Sequence, residues 1–195
     1  TEGTSNTHPG QGTANRRFFF HNFMLELLWI ENLDEVKSVL TKPMRLFERC
    51  SKLDPNISPF GIGLRPIKEK NIKITFPVWD YHPLYLPDFL KIQVADNTPL
   101  SEPMFFYLSF VERQDKYPLE KKENMKHKLP LKEVTNIEVH INQKNEFSEA
   151  AKIINNMDNL LLIKDNENYL KLTFDKGAYK KEKDFRPDLP LVINW

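Results

Sequence analysis

The stretch RRFFFHNFMLELLWI, residues 16–30, constrains the fold more than any other part of the chain. Two apolar runs flank a polar pair, His21-Asn22. Asn tolerates a positive φ, so the pair suits a tight turn between two strands, Arg16–Phe20 and Phe23–Ile30. In a symmetric hairpin, paired residue numbers sum to 43, which sets Arg17 across from Glu26. A cross-strand ion pair of this kind contributes roughly 0.2–1 kcal/mol when exposed. Glu26 interrupts the most hydrophobic strand of the chain. It is either the half-buried partner of Arg17 that fixes register, or a carboxylate kept free for chemistry as a metal ligand or general base.

Downstream, Asn32 or Asp34 caps a helical segment that Pro43 divides into two short helices, about 34–41 and 44–51. PFGIGLRPI reads as an edge strand or one lying against a close neighbour, given its glycines and Pro66. Residues 76–90 carry three prolines and fit no period, so they are expected as an ordered extended loop. Leu90–Ala95 and Glu102–Val111 follow as strands. The charged run 112–128 is expected as a solvated linker. Beyond it VTNIEVHIN is a strand and FSEAAKIINNM a helix capped by Ser148. NLLLIKD and NYLKLTFD are expected to form a hairpin around Asn166-Glu167, and LPLVINW a last strand. YLKLTF repeats the pattern of MLELLW, with Lys171 at the position of Glu26. The domain reading is 1–111, a linker 112–128, and 129–195.

The stretches HPGQGTANRRFFFHNFMLELLWIEN, SPFGIGLRP, FPVWDYHPLYLP, NTPLSEPMFFYL and KLTFDKG…DFRPDLPLVINW together resemble the glyoxalase-like branch of the vicinal oxygen chelate superfamily. The resemblance covers nearly the whole chain. It implies an α+β fold of paired βαβββ-type modules whose curved sheets surround a cavity. Glu26 matches the family's late carboxylate, a metal ligand in those members that bind metal. About 25–30 family residues, enough for one strand and one helix, would precede HPGQGT, so the first module is expected to lack its initial strand and helix. The absence of an initial Met agrees with a processed or truncated product. In the second module Asn136 and Lys171 stand where the family's ligands would be, so only Glu26 fits the metal pattern.

The implied functions are two. The first is a module that binds a small molecule between its halves without a complete metal site. The second is a metal-dependent lyase, isomerase or dioxygenase using Glu26. The cofactor is accordingly none or a divalent metal. His8, Arg17, Arg65, Trp79, Tyr81 and Tyr85 are the candidate ligand-binding residues, and His140, on one strand face with Glu138 and Asn136, is a spare metal ligand. Each has a plain alternative. The aromatic side chains can pack the loop that carries them, and the histidines can be satisfied or exposed. Arg186 is expected to tie down the C-terminal segment through Asp184 or Asp188.

Net charge is +1, and basic residues do not cluster with aromatic ones, which argues against nucleic acid as a partner. No apolar run reaches the ~18 residues of a membrane span. The single cysteine, Cys50, allows no internal disulfide and no multi-cysteine metal site, and points to a reducing, cytoplasmic setting. Cys50 itself is read as a small residue near the end of a short helix. High use of lysine and asparagine agrees with an AT-rich bacterial source. An unpaired strand edge in the incomplete first module would invite a second copy, so a homodimer is expected.

Overall fold

The computed structural model describes residues 1–51, 54–67 and 74–195. The chain is a mixed α+β structure, mostly strands in three sheets, with few and short helices. The first sheet has the order β1-β2-β3, with β1 at Asn6–His8, β2 at Thr13–Phe19 and β3 at Met24–Ile30. Arg17 is the register partner of Glu26, as the symmetric hairpin requires. Ahead of it, Asn6–His8 within the lead-in TEGTSNTHPG forms β1, which the sequence does not announce.

The β1–β2 turn turns on two glycines. Gly10 and Gly12 have φ of 80° and 76°. At Gly12 a Cβ would lie 2.3 Å from the Asn32 carbonyl oxygen, so only glycine fits. That close approach lets the Gly12 carbonyl accept from the Glu31 and Asn32 amides, at 2.9 and 3.0 Å. The hairpin is thereby fastened to the start of α1 (Leu33–Val36), where Asn32 Oδ1 accepts from the amides of Asp34 and Glu35. α1 stops at Val36, short of the expected 34–41, and Pro43 opens a 3-10 turn at Lys42–Met44 rather than breaking a helix; α2 (Leu46–Ser51) then completes the helical segment.

A second sheet has the order β4-β7-β6-β5, from β4 (Gly61–Leu64), β5 (Val78–Tyr81), β6 (Ile92–Ala95) and β7 (Met104–Tyr107). The aromatic stretch 76–90 is therefore not all loop: Val78–Tyr81 pairs with β6. β4 is an edge strand, parallel to β7, and a Cβ on Gly63 would lie 2.9 Å from the Phe106 ring. One face of this sheet packs Tyr81, Val94 and Phe106 on Val36, Met44 and Leu46 of the helical segment. The other adds Phe105 and Ala95 to the main core.

That core is built on the third sheet, order β11-β12-β10-β8-β9. Its strands are β8 (Val134–Asn142), β9 (Leu160–Asp165), β10 (Tyr169–Phe174), β11 (Glu182–Asp184) and β12 (Leu191–Asn194). Alternation sends Val139, Ile141, Leu162, Leu170, Leu172 and Phe174 inward. There they meet Ala150, Ala151 and Ile154 of α3 (Glu149–Ile154). Ser148 caps α3 as expected, and its amide and hydroxyl donate to the fully buried Glu102 carboxylate, at 2.7 and 2.5 Å.

The hairpin expected around Asn166-Glu167 does not form. β9 and β10 flank β8 instead, β9 parallel and β10 antiparallel to it. Asn168 explains how the short connection bridges the gap: its Oδ1 accepts from the Asn142 amide at the end of β8, and its Nδ2 donates to the Pro55 carbonyl. YLKLTF is thus not the second strand of a hairpin as MLELLW is. The charged run 112–128 straps the first hairpin rather than running free. The Asp115 amide donates to the His21 carbonyl, the His127 ring stacks on Phe20, and Glu123 accepts from Thr4. Cys50 is half-buried near the end of α2. Arg186 binds Asp184, as expected, and also Glu167.

Candidate functional site

Period-2 alternation puts Thr13, Asn15 and Arg17 of β2 on one face, with Glu26 and Leu28 of β3 beside them and His8 of β1 across from Thr13. A continuous polar line crosses this face. The Tyr85 hydroxyl donates to Gln11 Oε1 at 3.1 Å, and Gln11 Nε2 donates to Thr13 Oγ1 at 2.8 Å. His8 Nδ1 lies 2.9 Å from the same Thr13 oxygen, and its Nε2 is 3.5 Å from Asn15 Nδ2. Asn15 Nδ2 then donates to Glu26 Oε1 at 2.5 Å. The Asn6 amide donates to Asn15 Oδ1 at 2.9 Å, which fixes which end of the Asn15 amide faces Glu26. With the Gln11 and Asn15 amino groups both donating, the consistent imidazole carries its proton on Nδ1, directed at Thr13, and turns the Nε2 lone pair toward Asn15.

His8, Gln11, Thr13 and Asn15 are all buried, while Glu26 is half-buried at the open end of the line. Burial pushes the His8 pKa below the ordinary histidine value; the Glu26 charge works against that shift and Arg17 with it. His8 is therefore neutral at pH 7. Its ring lies 4.8 Å from that of Tyr85, centroid to centroid. Burial raises the Tyr85 pKa, helped by Tyr81 and Glu26, so the phenol stays protonated as a donor.

Arg17 does not pair with Glu26, although the two are register partners. Its guanidinium donates to the Thr4 carbonyl (2.7 Å) and hydroxyl (2.6 Å) and lies 3.8 Å from Glu123. Among the described residues Glu26 makes no ion pair, and Asn15 is the one side chain bonded to it.

Of the residues singled out from the sequence, the structure brings together Glu26, His8 and Tyr85, with Arg17 alongside. Tyr81 is near Tyr85 but is a core residue, 1% exposed, with its hydroxyl unpartnered and its pKa pushed up to about 12 by burial. Trp79 packs edge-on to it, ring centroids 5.9 Å apart. Arg65 lies elsewhere, and its charged neighbours are Arg113 and Asp115. His140 belongs to the third sheet. Asn15, Gln11 and Thr13 were not anticipated. The signal for Thr13 and Asn15 is the alternation TxNxR, which shares a face with Glu26; Gln11 lies outside it, in the turn before β2.

Three potential metal ligands, His21, Asp115 and Glu133, come within 4.8 Å of one another, the one such group among the described residues. Arg113 already donates to both carboxylates, at 2.8 Å to Asp115 and 2.5 Å to Glu133, so a guanidinium occupies the place of an ion. An open groove of about 320 Å³ lies on the third sheet's C-terminal segment, lined by Asp184, Phe185 and Arg186 among others. No helix among the described residues is long and apolar enough to cross a membrane. No family model, no curated protein and no solved structure matches the chain.

Proposed function

We propose that this chain is a small-molecule-binding module of glyoxalase-like type, and that Glu26 is its ligand anchor. In this reading the open faces of paired βαβββ-type modules line a shared cavity, and binding proceeds without a complete metal site at Glu26. The resemblance of HPGQGTANRRFFFHNFMLELLWIEN to that superfamily supports the assignment of type. One observation carries the role of Glu26: its carboxylate is held in place by Asn15 and makes no ion pair among the described residues, because Arg17 turns to Thr4 and Glu123. A half-buried carboxylate of this kind favours a ligand that brings its own positive charge or strong donors. Met24 and Leu28, exposed on the same face, would contact the ligand's apolar body. The preferred ligand is an amine or amidine on an apolar frame. A cytoplasmic setting accords with the single free cysteine.

The test is a binding screen of small amines with aromatic or aliphatic bodies, read by ligand-observed NMR. Hits should lose about tenfold or more in affinity against Glu26→Gln, a change of roughly 1.4 kcal/mol. Hits that bind the variant as tightly as the parent would refute Glu26 as the anchor.

A further inference from the structure

His140 sits on the outward face of β8, yet it is only 8% exposed. Its Nδ1 is 2.7 Å from Asp165 Oδ2, a contact that fixes the ring and turns Nε2 toward Glu138. The ring is held flat against Tyr169, centroids 3.9 Å apart. Nε2 is buried and has no hydrogen-bond partner. Two residues back on the same face, Glu138 accepts from Asn136 Nδ2 through Oε1, at 2.9 Å. Its other oxygen, Oε2, lies 3.6 Å from His140 Nε2. Two donor atoms thus face each other, and the far atom of each group is pinned by its own partner.

We propose that Glu138 Oε2 and His140 Nε2 are two ligands of a transition-metal site on this face, with Zn²⁺ the representative ion. A 3.6 Å separation, with metal–ligand bonds of about 2.0–2.1 Å, opens an angle of about 120–130° at the ion, close to the trigonal angle and wider than the tetrahedral one. A carboxylate that accepts from the distal nitrogen of a metal-bound histidine is the usual outer-shell support, and Asp165 holds that position. Mixed imidazole and carboxylate donors favour zinc, cobalt or nickel over magnesium or calcium. The Glu138 side chain is 23% exposed, which gives the ion a way in from solvent. With two protein ligands the remaining positions belong to water or to a chelating ligand. Lys171, the register partner of Glu138, keeps a positive charge close by and limits the affinity.

The experiment adds zinc chloride to the whole chain and reads thermal unfolding, alongside the His140 ring ¹⁵N resonances and the visible spectrum with cobalt chloride. Zinc should raise Tm and shift the Nε2 resonance in the parent. It should do the same in Glu26→Gln and in His21→Gln, which separates this site from the Glu26 face and from the Arg113 cluster. His140→Gln and Glu138→Gln should lose the response. Asp165→Asn should bind zinc about 10–100-fold more weakly. The resonance shift in the unaltered chain keeps the test valid if a variant fails to fold. An unmoved Nε2 resonance at millimolar zinc overturns the site. So does a response that survives both ligand substitutions, or one that magnesium matches.

Discussion

Asn15 offers a quantitative test of the polar line. Asn15→Asp keeps the shape of the side chain and replaces the amino group that donates to Glu26, 2.5 Å away, with a second carboxylate oxygen. The Asn6 amide still holds the other oxygen, so the new one must face Glu26. Losing the charge-assisted bond costs about 1.5–3 kcal/mol. Repulsion adds to this, but only up to a ceiling, because the pair can bind a proton and form a short O–H···O⁻ bond instead. Keeping that proton at pH 7.5 on a carboxyl of ordinary pKa near 4 costs roughly 5 kcal/mol, and at pH 4.5 less than about 1 kcal/mol. The variant's native state binds more protons than its unfolded state, so its stability relative to the parent falls as pH rises. Urea unfolding should give a deficit of about 3–5 kcal/mol at pH 7.5 that shrinks below about 1 kcal/mol at pH 4.5. Repeating the pair in a His8→Gln background removes the added attraction of a protonated His8. An equal deficit at both pH values would refute the Asn15–Glu26 contact.

Two further outcomes are expected. Glu102→Ala leaves the half-buried Ser148 amide and hydroxyl without their acceptor and should cost about 1–3 kcal/mol by chemical denaturation; an unchanged stability would contradict the capping role. Burial holds both His8 and His127 below the ordinary histidine pKa, so the unfolded chain binds more protons just below pH 6.5. Stability should be full above pH 6.5 and fall as pH drops toward 5, and His8→Gln should flatten that limb in urea midpoints measured across the range.

The sequence conveys what is local in this fold and conceals what is not. The β2–β3 register follows from a two-residue turn and period-2 alternation, and both are written in residues 16–30. β1 has no such signature, because two of its three residues face solvent and its pairing with β2 alone defines it. β5 is hidden by the prolines around it, with only four residues of strand between Pro77 and Pro83. The β9–β10 expectation failed for a different reason. The alternation that buries Leu160 and Leu162 serves a parallel partner as well as an antiparallel one, and nothing in the intervening Asn166–Asn168 shows that β8 will lie between the two strands. At the candidate site, Glu26 was visible as a charge in an apolar strand. The Arg17–Glu26 pair was a fair inference from register, but long side chains choose among neighbours from distant segments. Thr4 and Glu123 won Arg17.

β3 is an edge strand, and Met24, Leu28 and Trp29 are exposed along it. In the thirteen residues FFFHNFMLELLWI, Glu26 is the only carboxylate. Before the hairpin closes, such a segment is a template for intermolecular β-aggregation, and one charge at its centre acts as a gatekeeper against stacking. Replacing Glu26 therefore weighs on the unfolded and nascent chain as well as on the finished face. Soluble yield and refolding concentration become part of the phenotype of every Glu26 variant, separate from what that carboxylate holds.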